Sequence, residues 1–299
     1  MAKIQSQTRK YIRHKLDKHK KLQNISTSLY LKYCSLVGPL HVLPNFMIIG
    51  FPKCGTTSLY DYLTQHPQII PPLGKEIDFF DRLYERGVNW YRVRFPSKTQ
   101  VLFKQITSNK KILTGEATPR YAFHPLALER IKQLIPDGKF IILLRNPIDR
   151  AYSHYNMNFQ NGYEYRNFED AIEHEEERIL DRYQKMESTS NYYSWDFDLF
   201  GYLEQGKYAQ YITKWLKLFP KENFLILQSE EFLKNPQLVY HQTLNFLDLP
   251  KWEPEKYSPA KKRDYSSPID ESFRIKLSKY FQKYNDDLYE LIGKKFHWD

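Results

Sequence analysis

The sequence predicts a three-layer α/β fold with a mostly parallel central sheet, and three observations carry that expectation. Four short apolar runs, Phe46–Ile49, Ile112–Thr114, Phe140–Leu144 and Phe224–Leu227, read as strands buried on both faces. Helical periodicity fills the stretches between them, so strands and helices alternate along the chain. With 299 residues, 41% of them hydrophobic, the chain can bury a sizeable core unaided. Its two cysteines, Cys34 and Cys54, exclude a disulfide scaffold and a multi-cysteine zinc site.

The elements follow in order. Behind the first run, Thr57–Leu63 places Leu59, Tyr62 and Leu63 on one helical face. Pro125–Ile135 is helical ahead of the third run. Tyr208, Tyr211, Ile212, Trp215, Leu216 and Phe219 form a 3.6-period stripe ahead of the fourth. Asn235-Pro236 supplies a cap and a first-turn proline to a helix reaching Phe246. Phe273, Leu277, Tyr280, Phe281, Tyr284, Leu288 and Leu291 continue one last helical face. The acid-rich stretch 164–187 is expected to be a solvated helix face, and 188–200 a loop. No repeat or linker interrupts this pattern. The expected organisation is a basic arm and lead-in over residues 1–44 and a single domain over 45–299.

The formal charge of +10 is unevenly placed. Residues 1–23 hold eight Lys and Arg against one acid, Asp17, leaving only +3 for the remaining 276 residues. A basic tail of this kind does not make a nucleic-acid enzyme. The stretch 28–50 is interrupted by Lys32, Pro39, His41 and Pro44, short of the ~20 apolar residues a spanning helix needs. No apolar region with a small-residue cleavage site follows the basic start, so no secretory signal is expected. The default compartment is the cytoplasm, where two unpaired thiols are ordinary.

Chemistry enters after the first strand. Gly50-Phe-Pro-Lys53-Cys54-Gly55-Thr56-Thr57-Ser58 joins that strand to a helix N-terminus, an arrangement that turns backbone N–H groups toward an anion. The two glycines keep the spacing of a nucleoside-triphosphate loop, but Thr56 stands where that loop has its lysine, and the lysine is at 53. A nucleotide kinase or NTPase is thereby disfavoured. A non-enzymatic polyanion-binding protein, drawing on the arm and the 24 Tyr and 19 Phe, is the other alternative.

Pro52-Lys53-Cys54-Gly55-Thr56-Thr57-Ser58-Leu59 resembles the 5′-phosphosulfate loop of sulfotransferases that use 3′-phosphoadenylyl sulfate (PAPS). A second segment agrees: Arg145-Asn146-Pro147-Ile148-Asp149-Arg150-Ala151-Tyr152-Ser153-His154-Tyr155 is similar to that family's 3′-phosphate motif. The resemblance implies a P-loop NTPase-like topology. It implies that Lys53, Cys54, Gly55, Thr56, Thr57 and Ser58 hold the 5′-phosphate, with Lys53 neutralising the leaving group. Arg145 and Ser153 would hold the 3′-phosphate, Arg145 through its planar fork of donors. No metal is implied, because there is no triphosphate to clamp.

Lys75-Glu76-Ile77-Asp78-Phe79-Phe80 resembles the K-E-x-x-F-F segment of the carbohydrate branch, which includes the heparan sulfate sulfotransferases. That likeness implies Glu76 as the catalytic base, with Lys75 beside it. Two departures stand out against the heparan 3-O pattern: Asp78 replaces a histidine, and Glu116-Ala117-Thr118-Pro119 lacks a lysine at 117. Arg120 and Tyr121 are expected to line the acceptor cleft with Lys75 and Asp78. The steroid and phenol branch uses a histidine base, but His124 and His154 read as structural. Lys261-Lys262-Arg263 resembles a basic loop that closes over the nucleotide, which implies phosphate contacts from Lys262 and Arg263. The expected acceptor is a saccharide or a small molecule offering a hydroxyl or an amine, and the expected type is soluble and bacterial.

Overall fold

The computed structural model describes residues 26–257 and 268–298. Four strands, β1 (Phe46–Ile48), β2 (Gly115–Ala117), β3 (Lys139–Leu144) and β4 (Phe224–Gln228), form a sheet in the order β2-β1-β3-β4. Every pairing is parallel: Phe46 stands opposite Gly115 on one side and Lys139 on the other, and Phe140 opposite Phe224. Three of the four apolar runs are these strands. The second lies three residues before the strand it was expected to form. Leu113 makes only an isolated bridge with Ile69, and the strand proper is Gly115-Glu116-Ala117. Its glycine has a cause, because a Cβ at 115 would lie 2.5 Å from the Phe46 ring. The neighbouring aromatic supplies the bulk that an apolar run would have supplied.

Helix α1 covers residues 26–37, and α2 (Thr56–Leu63), α3 (Val88–Arg92) and α4 (Lys98–Ser108) follow. α5 (Ala127–Leu134) precedes β3. Between β3 and β4 run α6 (Pro147–Gln160), α7 (Phe168–Glu173), α8 (Glu175–Ile179), α9 (Arg182–Ser188), α10 (Trp195–Phe200) and α11 (Tyr208–Leu218). The chain continues through α12 (Ser229–Lys234), α13 (Pro236–Phe246) and α14 (Glu271–Ile292). The step from β1 to β2 and the step from β2 to β3 cross the sheet in opposite directions. Right-handed crossovers therefore put α2 and α5 on opposite faces. α13 packs beside α2 and α11 beside α5, which completes three layers. The α11 stripe packs as its periodicity requires: the Trp215 and Phe219 rings lie 5.3 and 4.6 Å from that of Phe140 on β3. Trp215 Nε1 donates to the Ala122 carbonyl at 3.1 Å.

Two expectations need correction. The acid-rich stretch 164–187 is not one solvated face but three short helices around buried acids. Glu175 accepts the backbone N–H groups of Leu203 and Glu204 at 2.7 and 2.8 Å, and burial pushes its carboxyl up to about 7. Within 188–200, Ser194 caps α10 by accepting from Phe197 N at 3.1 Å, and Asp196 and Asp198 occupy the first turn. Cys34 of α1 is buried in the same core as the sheet. Both cysteines are free. Among the described residues no helix is long and apolar enough to cross a membrane. The arm over residues 1–23 lies outside the described residues.

Just past the end of β1 the chain leaves no room for a side chain at Gly50. A Cβ on Gly50 would lie 2.4 Å from Leu143 N and 2.9 Å from Ile142 Cα, both on β3. Gly50→Ala is therefore expected to destabilise the protein by about 1–3 kcal/mol in a urea titration; an unchanged midpoint would contradict the close approach.

Candidate active site

In this strand order the chain leaves β1 for β2 on one side while β3 lies on the other. The crevice beyond the carboxyl ends of β1 and β3 is the place where such sheets bind ligands. Both phosphate motifs end there. After Gly50 the chain turns through Lys53, at φ 72°, and Gly55, at φ 90°, which enters α2. No side chain caps α2, so the N–H groups of its first turn keep their dipole for an anion. The loop is fixed from behind: Ser229 Oγ donates to the Cys54 carbonyl at 2.6 Å. Burial pushes the Cys54 thiol up to about 11, so Cys54 joins the loop through its backbone and stays a thiol. Thr56 is buried, Thr57 and Ser58 are half-buried, and Lys53 Nζ lies 3.8 Å from Met157 Sδ of α6.

The second motif follows β3 directly. Asn146 caps α6, its Oδ1 accepting from Ile148 N at 2.9 Å and Asp149 N at 3.4 Å, with Pro147 in the first turn. Arg145 is turned back to the first loop, where Nη1 donates to the Lys53 carbonyl at 3.3 Å, and its own carbonyl accepts from Tyr208 Oη at 2.9 Å. The two motifs, 92 residues apart in sequence, are thus in direct contact. Ser153 is buried in the second turn of α6. The motif's second arginine, Arg150, is fully buried and donates to the Tyr202 carbonyl and to Gln205 Oε1, a structural role. His154 and His124 are also buried. Desolvation holds the imidazole of His154 well below its usual range and that of His124 near 3, which keeps both neutral.

The Lys75-Glu76 segment comes to the same crevice. Lys75 Nζ donates to Thr57 Oγ1 on α2 and lies 3.9 Å from Glu76 Oε1. The other Glu76 oxygen meets Arg120 Nη1 at 3.2 Å. Arg120 also donates to Asp78 through Nη2 and to Asp81 through Nε at 3.3 Å, while Arg82 pairs with Asp78 at 3.0 Å. Glu76 is the most exposed carboxylate of this group, its side chain 39% accessible against none for Asp81. Burial raises the carboxyls of Asp78 and Asp81, the latter to about 7, against the pull of Arg120.

Both departures from the heparan 3-O pattern now have a place. Asp78 engages two arginines rather than serving as a neutral ring, and Ala117 is buried in β2. The cations beside Glu76 are Lys75 and Arg120. Tyr121 needs correction, because it is fully buried rather than cleft-lining. Its Oη accepts Phe79 N at 2.9 Å and donates toward Glu116 Oε2 at 3.4 Å, which fixes the backbone of the K-E-x-x-F-F segment from inside. Lys262 and Arg263 lie outside the described residues. Sequence reasoning also missed Asp81, Arg82 and Trp195. Arg82 lies 4.3 Å from the Trp195 ring, and this wall was hidden because 188–200 read as featureless loop.

A strand-to-helix loop lacking the triphosphate lysine, an arginine bound to it from beyond β3, and an exposed carboxylate at its rim are the parts that a group-transfer enzyme with an anionic substrate requires. The comparisons narrow the class. Residues 43–267 match the sulfotransferase domain, and the chain belongs to that family and is a sulfotransferase. It is 26% identical to the membrane-associated sulfotransferase kil1 of Dictyostelium discoideum, over 87% of this chain and 68% of that protein. It is 28% identical to heparan sulfate glucosamine 3-O-sulfotransferase 6 of Mus musculus, over 86% of this chain and 74% of that one. A bifunctional heparan sulfate N-deacetylase/N-sulfotransferase 1 of Caenorhabditis briggsae is 30% identical over 73% of this chain, which spans only 24% of that protein. The crystal structure of a sulfotransferase from Alicyclobacillus acidocaldarius superposes with a TM-score of 0.63 at 29% identity, covering 86% of this chain and 99% of that one.

The acid beneath this site sets a pH dependence. Glu116 is fully buried, accepts from Tyr91 Oη and from Thr118 Oγ1 at 2.8 Å, and desolvation pushes it up to about 8. The native state then binds the proton more tightly than the unfolded chain does. Stability is full below the unfolded value of about 4 and declines as pH rises toward 8. Glu116→Gln is expected to make that decline shallower in denaturant titrations across the window; an unchanged slope would contradict the assignment.

Proposed function

We propose that this sulfotransferase moves a sulfuryl group from PAPS to a hydroxyl or amine of a saccharide-type or small-molecule acceptor. The observation that carries the reading is the contact of Lys75 with Thr57, which sets Glu76 at the rim of the phosphate loop. The donor site fits a doubly phosphorylated nucleotide. The α2 N-terminus and Lys53 would hold the 5′-phosphate, and Arg145 with Ser153 the 3′-phosphate. Lys262 and Arg263 are proposed as further phosphate contacts.

Glu76 takes the acceptor's proton as its oxygen or nitrogen bonds to sulfur, and the bond from sulfur to the 5′-phosphate oxygen breaks. The Lys53 ammonium neutralises the charge that develops on the departing adenosine 3′,5′-bisphosphate. Lys75 and Arg120 hold the two Glu76 oxygens at 3.9 and 3.2 Å, so the carboxylate is oriented before the acceptor arrives. The saccharide class rests on the K-E-x-x-F-F segment and on the heparan-acting names of two relatives.

Mass spectrometry of products from PAPS with a panel of saccharide and small-alcohol acceptors identifies the substrate. With a working acceptor, Glu76→Gln and Lys53→Ala should each lower turnover by at least about 100-fold while leaving the thermal midpoint unchanged. A near-wild-type rate for Glu76→Gln would remove the base assignment. Magnesium-dependent ATP hydrolysis in place of sulfation would favour a kinase.

A further inference from the structure

α4 is an eleven-residue helix with no buried residue, although it carries Val101, Leu102, Phe103 and Ile106. Phe103 and Ile106 are 70% and 71% exposed, and with Leu102 they occupy positions i, i+1 and i+4 of one face. α1 and the short turn after it repeat the pattern. Leu29, Tyr33, Leu36 and Leu40, at i, i+4, i+7 and i+11, make an outward stripe, with Leu36 77% exposed. The two segments meet at one point: His41 bridges Ser97, the residue that caps α4, and Val42 N donates to the Pro96 carbonyl at 3.1 Å. Apolar stripes facing water in two segments tied together at this bridge call for an occupant.

The charge identifies it. Residues 26–45 and 98–111 contain five lysines (Lys32, Lys98, Lys104, Lys110 and Lys111) and no Asp or Glu. Elsewhere acids nearly balance bases, apart from the arm of net +7 that runs directly into α1. Lys111 pairs with Asp248 at 3.5 Å, and Lys32, Lys98, Lys104 and Lys110 flank apolar stripes whose own segments carry no acid, a pattern that complements anionic headgroups over hydrocarbon. A second copy of this chain would instead bring its own lysines against these. The two segments lead into the N-terminal ends of β1 and β2, whereas the active site lies beyond the carboxyl ends. Docking through this face leaves the crevice open.

We propose that α1 and α4 form a docking face that seats the enzyme on an anionic phospholipid membrane surface, with Leu36, Leu40, Phe103 and Ile106 entering the interface.

The test is sedimentation of the full chain with phosphatidylcholine vesicles, with and without phosphatidylserine. The expected result is partitioning onto the phosphatidylserine vesicles that weakens as salt rises. The double variant Phe103→Ser, Ile106→Ser should reduce it at least about tenfold with the thermal midpoint unchanged. Replacing Lys98 and Lys104 by Glu should also weaken it. Absence of binding to phosphatidylserine vesicles would overturn the proposal. So would equal binding by the double variant, which would leave the arm alone responsible. A wild-type dimer in light scattering that the double variant converts to monomer would overturn it too, because the face would then be an interface between copies.

Discussion

Where the chain leaves β1, Gly50 passes so near β3 that a Cβ would lie 2.4 Å from Leu143 N. That approach brings the carboxyl ends of the two central strands together, and the donor side of the site depends on it. Lys53 and Gly55 turn with positive φ immediately after it, which sends α2 away from the sheet with its N-terminus at the crevice. Arg145, one residue past the end of β3, then reaches the Lys53 carbonyl. A wider separation of β1 and β3 would part the loop from the arginine. The strand order places Glu116 and Arg120 on the other flank of β1, at the end of β2.

The acceptor flank is organised by charge. Arg120 is shared among Glu76, Asp78 and Asp81, and burial opposes ionisation of the two aspartates while Arg120 and Arg82 favour it. Glu116 lies beneath them, held by the hydroxyls of Tyr91, Thr118 and Tyr121. The result is a gradient, in which the deepest carboxyls resist losing their protons and Glu76, at the rim, is held between Lys75 and Arg120. Such a cluster orients one carboxylate through several others, so a change at Asp78 or Asp81 should reach Glu76 through Arg120.

The turn after β1 and the cap after β3 are legible in the sequence because their signals are local. A glycine-bearing turn after an apolar run, and an Asn-Pro cap after another, are dictated by backbone chemistry within a few residues. The strand at Gly115–Ala117 was displaced in the reading because its bulk comes from Phe46, a residue far away in sequence. Tyr121 was assigned to the cleft because its position in the chain says nothing of depth. In the structure its hydroxyl serves the Phe79 and Phe80 backbone. Arg120 was named, but its partners were not, since only the fold brings it to Glu76. The wall at Arg82 and Trp195 was invisible for the same reason, being made of two segments more than a hundred residues apart.

The central claim is that the turn after β1 and the arginine after β3 jointly hold a doubly phosphorylated nucleotide without a metal. Calorimetric titration of adenosine 3′,5′-bisphosphate into the wild type, Lys53→Ala and Arg145→Ala, with and without magnesium, tests it most directly. The expected result is binding to the wild type that magnesium does not change and that each substitution weakens by about tenfold or more. Binding that requires magnesium, or that survives both substitutions intact, would contradict it.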